Sequence, residues 1–306
     1  MSFYDIINIE WIDRMARRKK YNIAPIILSI LIIFGFIYAE YSDSIKETTP
    51  VTTDLIIEYL DVGQADSILI TTNNHNMLID AGNNKDGSLL VKYFKEKDIK
   101  EFEYVIGTHP HEDHIGGMDN ILKNFIVDKI YMPDVKTDFK TYTEIIDYLN
   151  KHNMKLTIPY IGETFYLGEA KIRIIYTGTD PENINNDSII LKLTFGNHNF
   201  LFTGDTTKEI EDTLLNENLS SDVIKIAHHG SPYSNSLAFL KKVNPKYAII
   251  SVGNNNDYNH PSDIILNRLK VMNIETYRTD KQGTIVVRSD GENMTITTKK
   301  TNTNRE

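Results

Sequence analysis

The sequence predicts an α/β fold: a four-layer αββα sandwich, two sheets with helices outside them, preceded by one N-terminal transmembrane helix. Three observations carry that expectation. From residue 54 onward, short β-rich runs alternate with segments of helical period. The first three runs, DLIIEYLD (54–61), SILITT (67–72) and NMLIDAG (76–82), follow one another with no helix between them. Residues 21–39 carry no charge at all. A doubly wound single sheet with a metal site at its switch point explains the alternation but not the consecutive early strands. Spacing alone does not choose among α/β folds.

At the N-terminus, RMARRKK (14–20) is a basic cluster and YNIAPIILSILIIFGFIYA (21–39) is the uncharged run behind it. About 20 apolar residues at about 1.5 Å each span a bilayer core. Tyr21 and Tyr38 stand where interfacial aromatics are expected, and the Arg/Lys cluster should stay cytoplasmic with the remainder outside. A cleaved signal peptide ending near Ile37-Tyr38-Ala39 is the alternative. The polar lead and the length of the run favour an uncleaved anchor over that, and over a buried core helix. The expected division is therefore a cytoplasmic segment 1–20, an anchor 21–39, a polar linker 40–53 with Pro50, one large domain 54–293 and a tail 294–306.

Within the domain, helical period marks GSLLVKYFKEKD (87–98), DNILKNF (119–125) and TYTEIIDYLNKHN (141–153), with Ile145, Ile146 and Leu149 on one face. It recurs at TKEIEDTLLNEN (207–218), LAFLKKV (237–243) and PSDIILNRLKVMN (261–273). Further strands are EFEYVIGTH (101–109), DKIYMP (128–133), KIRIIYTG (171–178), DVIKIAHHG (222–230) and KYAIISVG (246–253), with ETYRT and GTIVVRSD last. SIILKLTFG (188–196) and HNFLFTGD (198–205) read as a hairpin around Gly196-Asn197.

Composition narrows the chemistry. A hydrophobic share of 41% in 306 residues supports a sizeable core. Net charge is −9, and the first 50 residues hold six Lys/Arg and six Asp/Glu, so the acidic excess lies wholly in the domain. That argues against broad, sequence-independent nucleic-acid binding, although a local basic groove is compatible with it. With no cysteine, disulfides and thiolate metal sites are excluded.

Polar residues then fall repeatedly at the ends of the expected strands: Asp80, His109, Asp205 and the pair His228-His229. Loops beyond strand ends are where α/β proteins assemble sites. The densest is THPHEDHIGG (108–117). His109 and His111, two apart on an extended loop, can face one side and suit a divalent ion as neutral ligands. Asp113 and His114, beyond Pro110, can reach a second ion. Gly116 and Gly117 let the backbone pass close and start the next helix. Nine histidines in 306 residues do not place three within six positions by chance. His75, His152 and His198 fall in turn-like segments and are expected at the surface.

HPHEDH resembles the HxHxDH signature of metallo-β-lactamase-fold hydrolases. More narrowly, DVGQADS (61–67), LIDAG (78–82), THPHEDHIGG, NNDSIILKL (185–193), FLFTGD (200–205), AHHGS (227–231), ISVGNNNDYNHP (250–261) and YRTDKQGTI (277–285) resemble, in order, the hydrolase domain of ComEC-type competence proteins. The similarity covers about residues 54–290 and not the multi-helix pore region of those proteins, which implies a stand-alone, membrane-tethered relative.

The resemblance implies two divalent metal ions, zinc or manganese. It places His109 and His111 on the first and Asp113, His114 and His228 on the second, with Asp205 bridging. Asp113 also implies a role on the attacking water, and His229 substrate contact or proton donation; the roles of His228 and His229 could be exchanged. Asp80 is expected behind a ligand, accepting a hydrogen bond. Asn185, Asn186, Ser231 and His260 are expected to contact substrate. Many superfamily members place a histidine where Asn185-Asn186-Asp187-Ser188 stands, so the metal identity stays open and β-lactamase activity is disfavoured. Ala65 stands where relatives show Gly. The function expected is a membrane-anchored extracellular phosphodiesterase or nuclease acting on DNA. The alternatives are a hydrolase of cell-envelope phosphodiesters such as phosphorylcholine esters, and a non-catalytic binding module. No protein partner is inferable.

Overall fold

The computed structural model describes residues 53–180 and 182–299. The expected segment 1–20, the anchor 21–39 and all of the linker but its last residue lie outside the described residues. Among the described residues no helix is long and apolar enough to cross a membrane.

Three consecutive strands, β1 (Leu55–Tyr59), β2 (Ser67–Thr72) and β3 (His75–Ala81), form an antiparallel meander with Leu55 opposite Thr72 and Thr72 opposite His75. β4 (Glu101–Ile106), β5 (Ile126–Tyr131) and the short β6 (Leu156–Thr157) extend it in parallel. β14 (Thr284–Ser289) and β15 (Met294–Lys299) close its other side, giving the order β15-β14-β1-β2-β3-β4-β5-β6.

The second sheet repeats the plan. β7 (Thr164–Leu167), β8 (Ala170–Tyr176), β9 (Ile190–Phe195) and β10 (His198–Phe202) are antiparallel. β11 (Val223–Lys225), β12 (Tyr247–Ile250) and β13 (Glu275–Arg278) continue parallel to β10.

Strand alternation decides the layers. Leu55, Ile57 and Tyr59 of β1 point into the same central core as Leu191, Leu193 and Phe195 of β9 and Phe200 and Phe202 of β10. The opposite faces carry helices. α1 (Gly87–Glu96), α3 (Met118–Asn124) and α4 (Lys140–Lys151) bury Leu90, Phe94, Ile121, Ile145 and Leu149 against Leu69, Leu78 and Val105 of the first sheet. α6 (Leu237–Val243) and α7 (Asp263–Val271) bury Phe239, Leu240, Ile265 and Leu269 against Ile190, Leu201 and Ile224 of the second. Three apolar interfaces separate four layers, αββα. Three shorter helices are α2 (Glu112–Ile115), α5 (Lys208–Thr213) and α8 (Thr279–Gln282).

Some expectations change. The segment 294–299, expected as tail, is β15, paired along β14 from Met294–Ser289 to Lys299–Thr284. Its own outward residues are polar, so the sequence lacks a strand's apolar signal. β6 and β7 were not expected; both are short edge strands. The helix expected over 207–218 stops at Thr213. His198, expected at the surface, is buried and bonded to Ser289 Oγ at 2.7 Å.

Gly117 fixes how the histidine-rich loop docks. A Cβ there would lie 2.4 Å from the carbonyl oxygen of Ala81 and 2.9 Å from Gly87 Cα, both backbone atoms. Gly117→Ala should therefore destabilise the domain by roughly 1–3 kcal/mol, read as a lower urea midpoint at unchanged slope. An unmoved midpoint would contradict this close approach.

Candidate metal centre

The parallel strands β3 and β4 of one sheet and β10, β11 and β12 of the other send their following loops to one place. There the loop 108–114, the turn 203–205, the turn 227–231 and the loop 251–260 meet.

His114 is set by two contacts. Its Nδ1 donates to Asp80 Oδ2 at 2.7 Å, which leaves Nε2 facing Asp205 Oδ1 at 3.2 Å. Asp80 is itself held by the Thr108 backbone N–H and hydroxyl, both at 2.8 Å. His229 is set in the same manner: Nδ1 donates to the Ser251 carbonyl at 2.9 Å. Its Nε2 lies 3.2 Å from Asp113 Oδ2 and 3.7 Å from Asp205 Oδ2. Such outer bonds fix which imidazole nitrogen is presented to a metal. Beside them, His109 Nε2 and His111 Nδ1 converge to 2.9 Å, and the His109 ring lies 4.1 Å from that of His114.

The fit to a cation rests on atoms that need one. The ligand atoms of Asp113, His114, Asp205 and His229 all lie within 4.8 Å of one another. His114 Nε2 and Asp205 Oδ1 are buried, are not aligned to bond each other and have no other hydrogen-bond partner. Buried polar atoms are rarely left so, and a divalent ion would satisfy both. Imidazole nitrogens with carboxylate oxygens suit zinc or manganese. Asp66, Asp80 and His114 also cluster. That group fits no ion, because Lys225 Nζ already pairs with Asp66 Oδ2 at 2.6 Å and His114 Nδ1 with Asp80.

The electrostatics agree with the geometry. Burial alone would push the His114 imidazole down, but Asp205, Asp80 and Asp113 outweigh it and hold it well above its usual value. Burial would likewise raise Asp205, yet His114, His229 and His228 hold it well below. Burial, reinforced by His114, drives His109 well below the imidazole range, and burial lowers His111 too. Burial raises Asp80 despite its bond to His114.

Of the residues expected in the site, His109, His111, Asp113, His114, Asp205, His228, His229 and His260 come together, with Asp80 behind His114. His228 and His229 divide differently from the expected assignment. His229 is buried with Nε2 on the carboxylates, whereas the His228 side chain is 26% exposed with Nε2 at 3.8 Å from Asp205. The geometry gives His229, not His228, the place among the ligand atoms. Both residues take left-handed backbone, φ 52° each, and so does Asp80 at 59°.

Three expected substrate contacts are elsewhere. Asn186 is buried and its amide is consumed by Asp180, Glu209 and Thr207, bonds that pin the 180–187 loop to the start of α5. Asn185 lies in the same 3-10 turn, Ile184–Asp187, and does not line the cleft. Ser231 is buried in the turn after His229, its N–H donated to the His228 carbonyl. These short polar residues do turn chemistry.

The cleft itself holds about 430 Å³ and is lined by the site residues together with Gln64, Asn83, Lys85, Glu112 and Tyr258. Asp66, Lys225 and Lys85 carry no role in the expectations drawn from sequence. A lysine within the apolar strand DVIKIA reads as a solvent-facing position, and nothing local marks its buried partner.

Comparison with known proteins extends this picture. Residues 60–254 match the family described as the Metallo-beta-lactamase superfamily. The chain is 28% identical over 253 residues to ComE operon protein 3 of Bacillus subtilis, covering 76% of this chain and 33% of that one. It is 27% identical over 275 residues to competence protein ComA of Neisseria gonorrhoeae, covering 84% and 35%. It thus spans about a third of the length of these curated relatives. Among solved structures, the metallo-beta-lactamase fold protein YhfI of Bacillus subtilis superposes with a TM-score of 0.53 at 16% identity, covering 77% of this chain and 100% of that one.

Loading with zinc or manganese should stabilise the chain, by about 2.7 kcal/mol when free metal is 100-fold above its dissociation constant. In the metal-free chain His114 carries a proton that loading must displace, so affinity should fall as pH falls. Asp205→Asn should abolish the thermal shift; a variant that responds like the parent would count against this centre.

Proposed function

The chain belongs to the metallo-beta-lactamase superfamily, and on that premise we propose that it is a metal-dependent phosphodiesterase acting on DNA-type diesters. His109, His111, Asp113, His114, Asp205 and His229 would hold two divalent ions. One observation carries the reading. Four ligand atoms from three distant loops converge within 4.8 Å, and two atoms of that set, His114 Nε2 and Asp205 Oδ1, are buried without a hydrogen-bond partner, in an open cleft lined also by Lys85. Among the described residues Lys85 has no ion-pair partner, and it is exposed. A free cation beside a metal cluster suits an anionic substrate.

Divalent ions bound there would make water a nucleophile at neutral pH and neutralise charge on the attacked phosphoryl group. The chain's own groups do the positioning. Burial would raise the Asp113 carboxyl, but His114 and His229 hold it well below the usual range. A carboxylate accepts hydrogen bonds, so Asp113 would orient the attacking water or take its proton. Burial, with His228 and His229 nearby, pushes His260 down to about 4. At neutral pH it is uncharged and can donate one N–H to a phosphoryl oxygen. Lys85 supplies charge in the cleft lining.

The competence relatives support DNA as the polymer, and the uncharged run 21–39 supports a membrane tether with the domain outside. The test is turnover of bis-(p-nitrophenyl) phosphate with zinc or manganese. Asp113→Ala should lower kcat/KM by about 10²–10⁴-fold. Turnover that needs no metal, or that survives this substitution, rejects the reading. Plasmid degradation compared with phosphorylcholine release then distinguishes DNA from envelope diesters.

A further inference from the structure

Tyr258 lines the metal cleft and is 68% exposed. Tyr233 is more exposed, at 75%, and Tyr160 nearly as exposed, at 65%, so exposure alone carries nothing. Two features set Tyr258 apart. Its ring is stacked on His260, centroids 5.8 Å apart and 27° between planes, and His260 meets the ring of His228 edge-on at 5.6 Å. One face of Tyr258 is therefore continuous with the site imidazoles while the ring remains open to the cleft.

The second feature is the loop beneath. Asn256 accepts the N–H groups of Tyr258 and His260 at 3.2 and 3.0 Å and donates to the carbonyls of Gly253 and His260 at 3.0 and 2.6 Å. Gly253 N–H is in turn held by Gln64 Oε1 at 3.0 Å. A loop this well bonded holds the backbone that carries the ring in one place, which lessens an entropic cost of binding.

We propose that Tyr258 is the stacking platform for a nucleobase, so that the cleft takes nucleotide diesters whose bases are unpaired, with the phosphate lying toward the Asp113–His229 cluster. This rests on the phosphodiesterase reading and narrows its substrate to single-stranded or frayed nucleic acid, because a base stacked within a duplex offers no free face. A quaternary ammonium such as choline favours a cage of several rings, whereas Tyr258 offers one open face.

The test is binding to the full-length chain loaded with zinc or manganese, using probes whose linkages resist cleavage, so it does not depend on turnover. The probes are a thymidine tetranucleotide with phosphorothioate linkages and the same backbone with abasic sites. The parent should bind the base-bearing probe more tightly by about 5- to 150-fold, the ratio that base–aromatic stacking of about 1–3 kcal/mol gives. Tyr258→Ala should erase that ratio and Tyr258→Phe should keep it. Equal binding of the two probes by the parent overturns the platform, as does a ratio that survives Tyr258→Ala, or Tyr258-dependent binding of phosphorylcholine in place of the oligonucleotide. Diester turnover is read separately. A base-indifferent enzyme that cleaves diesters sinks the platform alone, while base-dependent binding by a protein inert toward diesters sinks the hydrolase reading alone.

Discussion

A buried ion pair underlies the site. Lys225 and Asp66 are each 1% exposed and meet at 2.6 Å beneath the histidines. Removing one partner of such a pair typically costs about 3–5 kcal/mol, because the other charge is left buried and alone. Asp66 is also a backbone junction: its N–H is given to the Asp113 carbonyl at 3.0 Å and its carbonyl accepts from Gly82 at 2.8 Å. Its second oxygen lies 3.7 Å from His229 Nδ1. One residue thus ties the 61–66 loop to the 108–114 loop, to the end of β3 and, through Lys225, to the second sheet. The lysine gives its remaining contact to the Ile226 carbonyl at 2.9 Å. The two sheets can slide on an apolar interface, but not past a charge pair that must stay matched.

This arrangement also explains how acidic and basic groups coexist so densely. Two of the imidazoles at the ligand atoms have a carboxylate or carbonyl behind them: Asp80 for His114, the Ser251 carbonyl for His229. The front atoms are then left with unmet demand, which is what a cation satisfies. The domain's acidic excess is consistent with that use of carboxylates. In the proposed reaction a substrate anion would be drawn by local features, the cluster once loaded and Lys85, rather than by overall charge.

How much of this was legible in the sequence depends on how local the signal was. The layers were readable because apolar alternation is local, and so was the HPHEDH loop, whose density of titratable groups is local too. Edge strands β6 and β7 were not, since two- and four-residue strands carry no period. Asn186 and Ser231 lie outside the cleft lining for a related reason: short polar residues serve turns as readily as ligands, and only their partners, Asp180, Glu209 and Thr207 for Asn186 and the His228 carbonyl for Ser231, reveal which. Lys225 was invisible, since its role exists only through an aspartate far away in sequence.

The order of His228 and His229 belongs to the same class of question, and the backbone answers it. Two consecutive residues on an extended strand point to opposite faces, so a strand reading of AHHG would send one imidazole out of the site. Both residues instead adopt left-handed conformations, which cost an L-residue about 1–2 kcal/mol each. The turn is held against that cost by His228 N–H to the Gly204 carbonyl at 3.2 Å and Ser231 N–H to the His228 carbonyl at 2.8 Å. The result is that His229 reaches inward to the carboxylates while His228 stays at the cleft beside His260. Glycine would adopt this backbone without strain, but it has no nitrogen to offer. Histidine held there against its preference is strain retained at the site, where the His229 side chain reaches the ligand atoms.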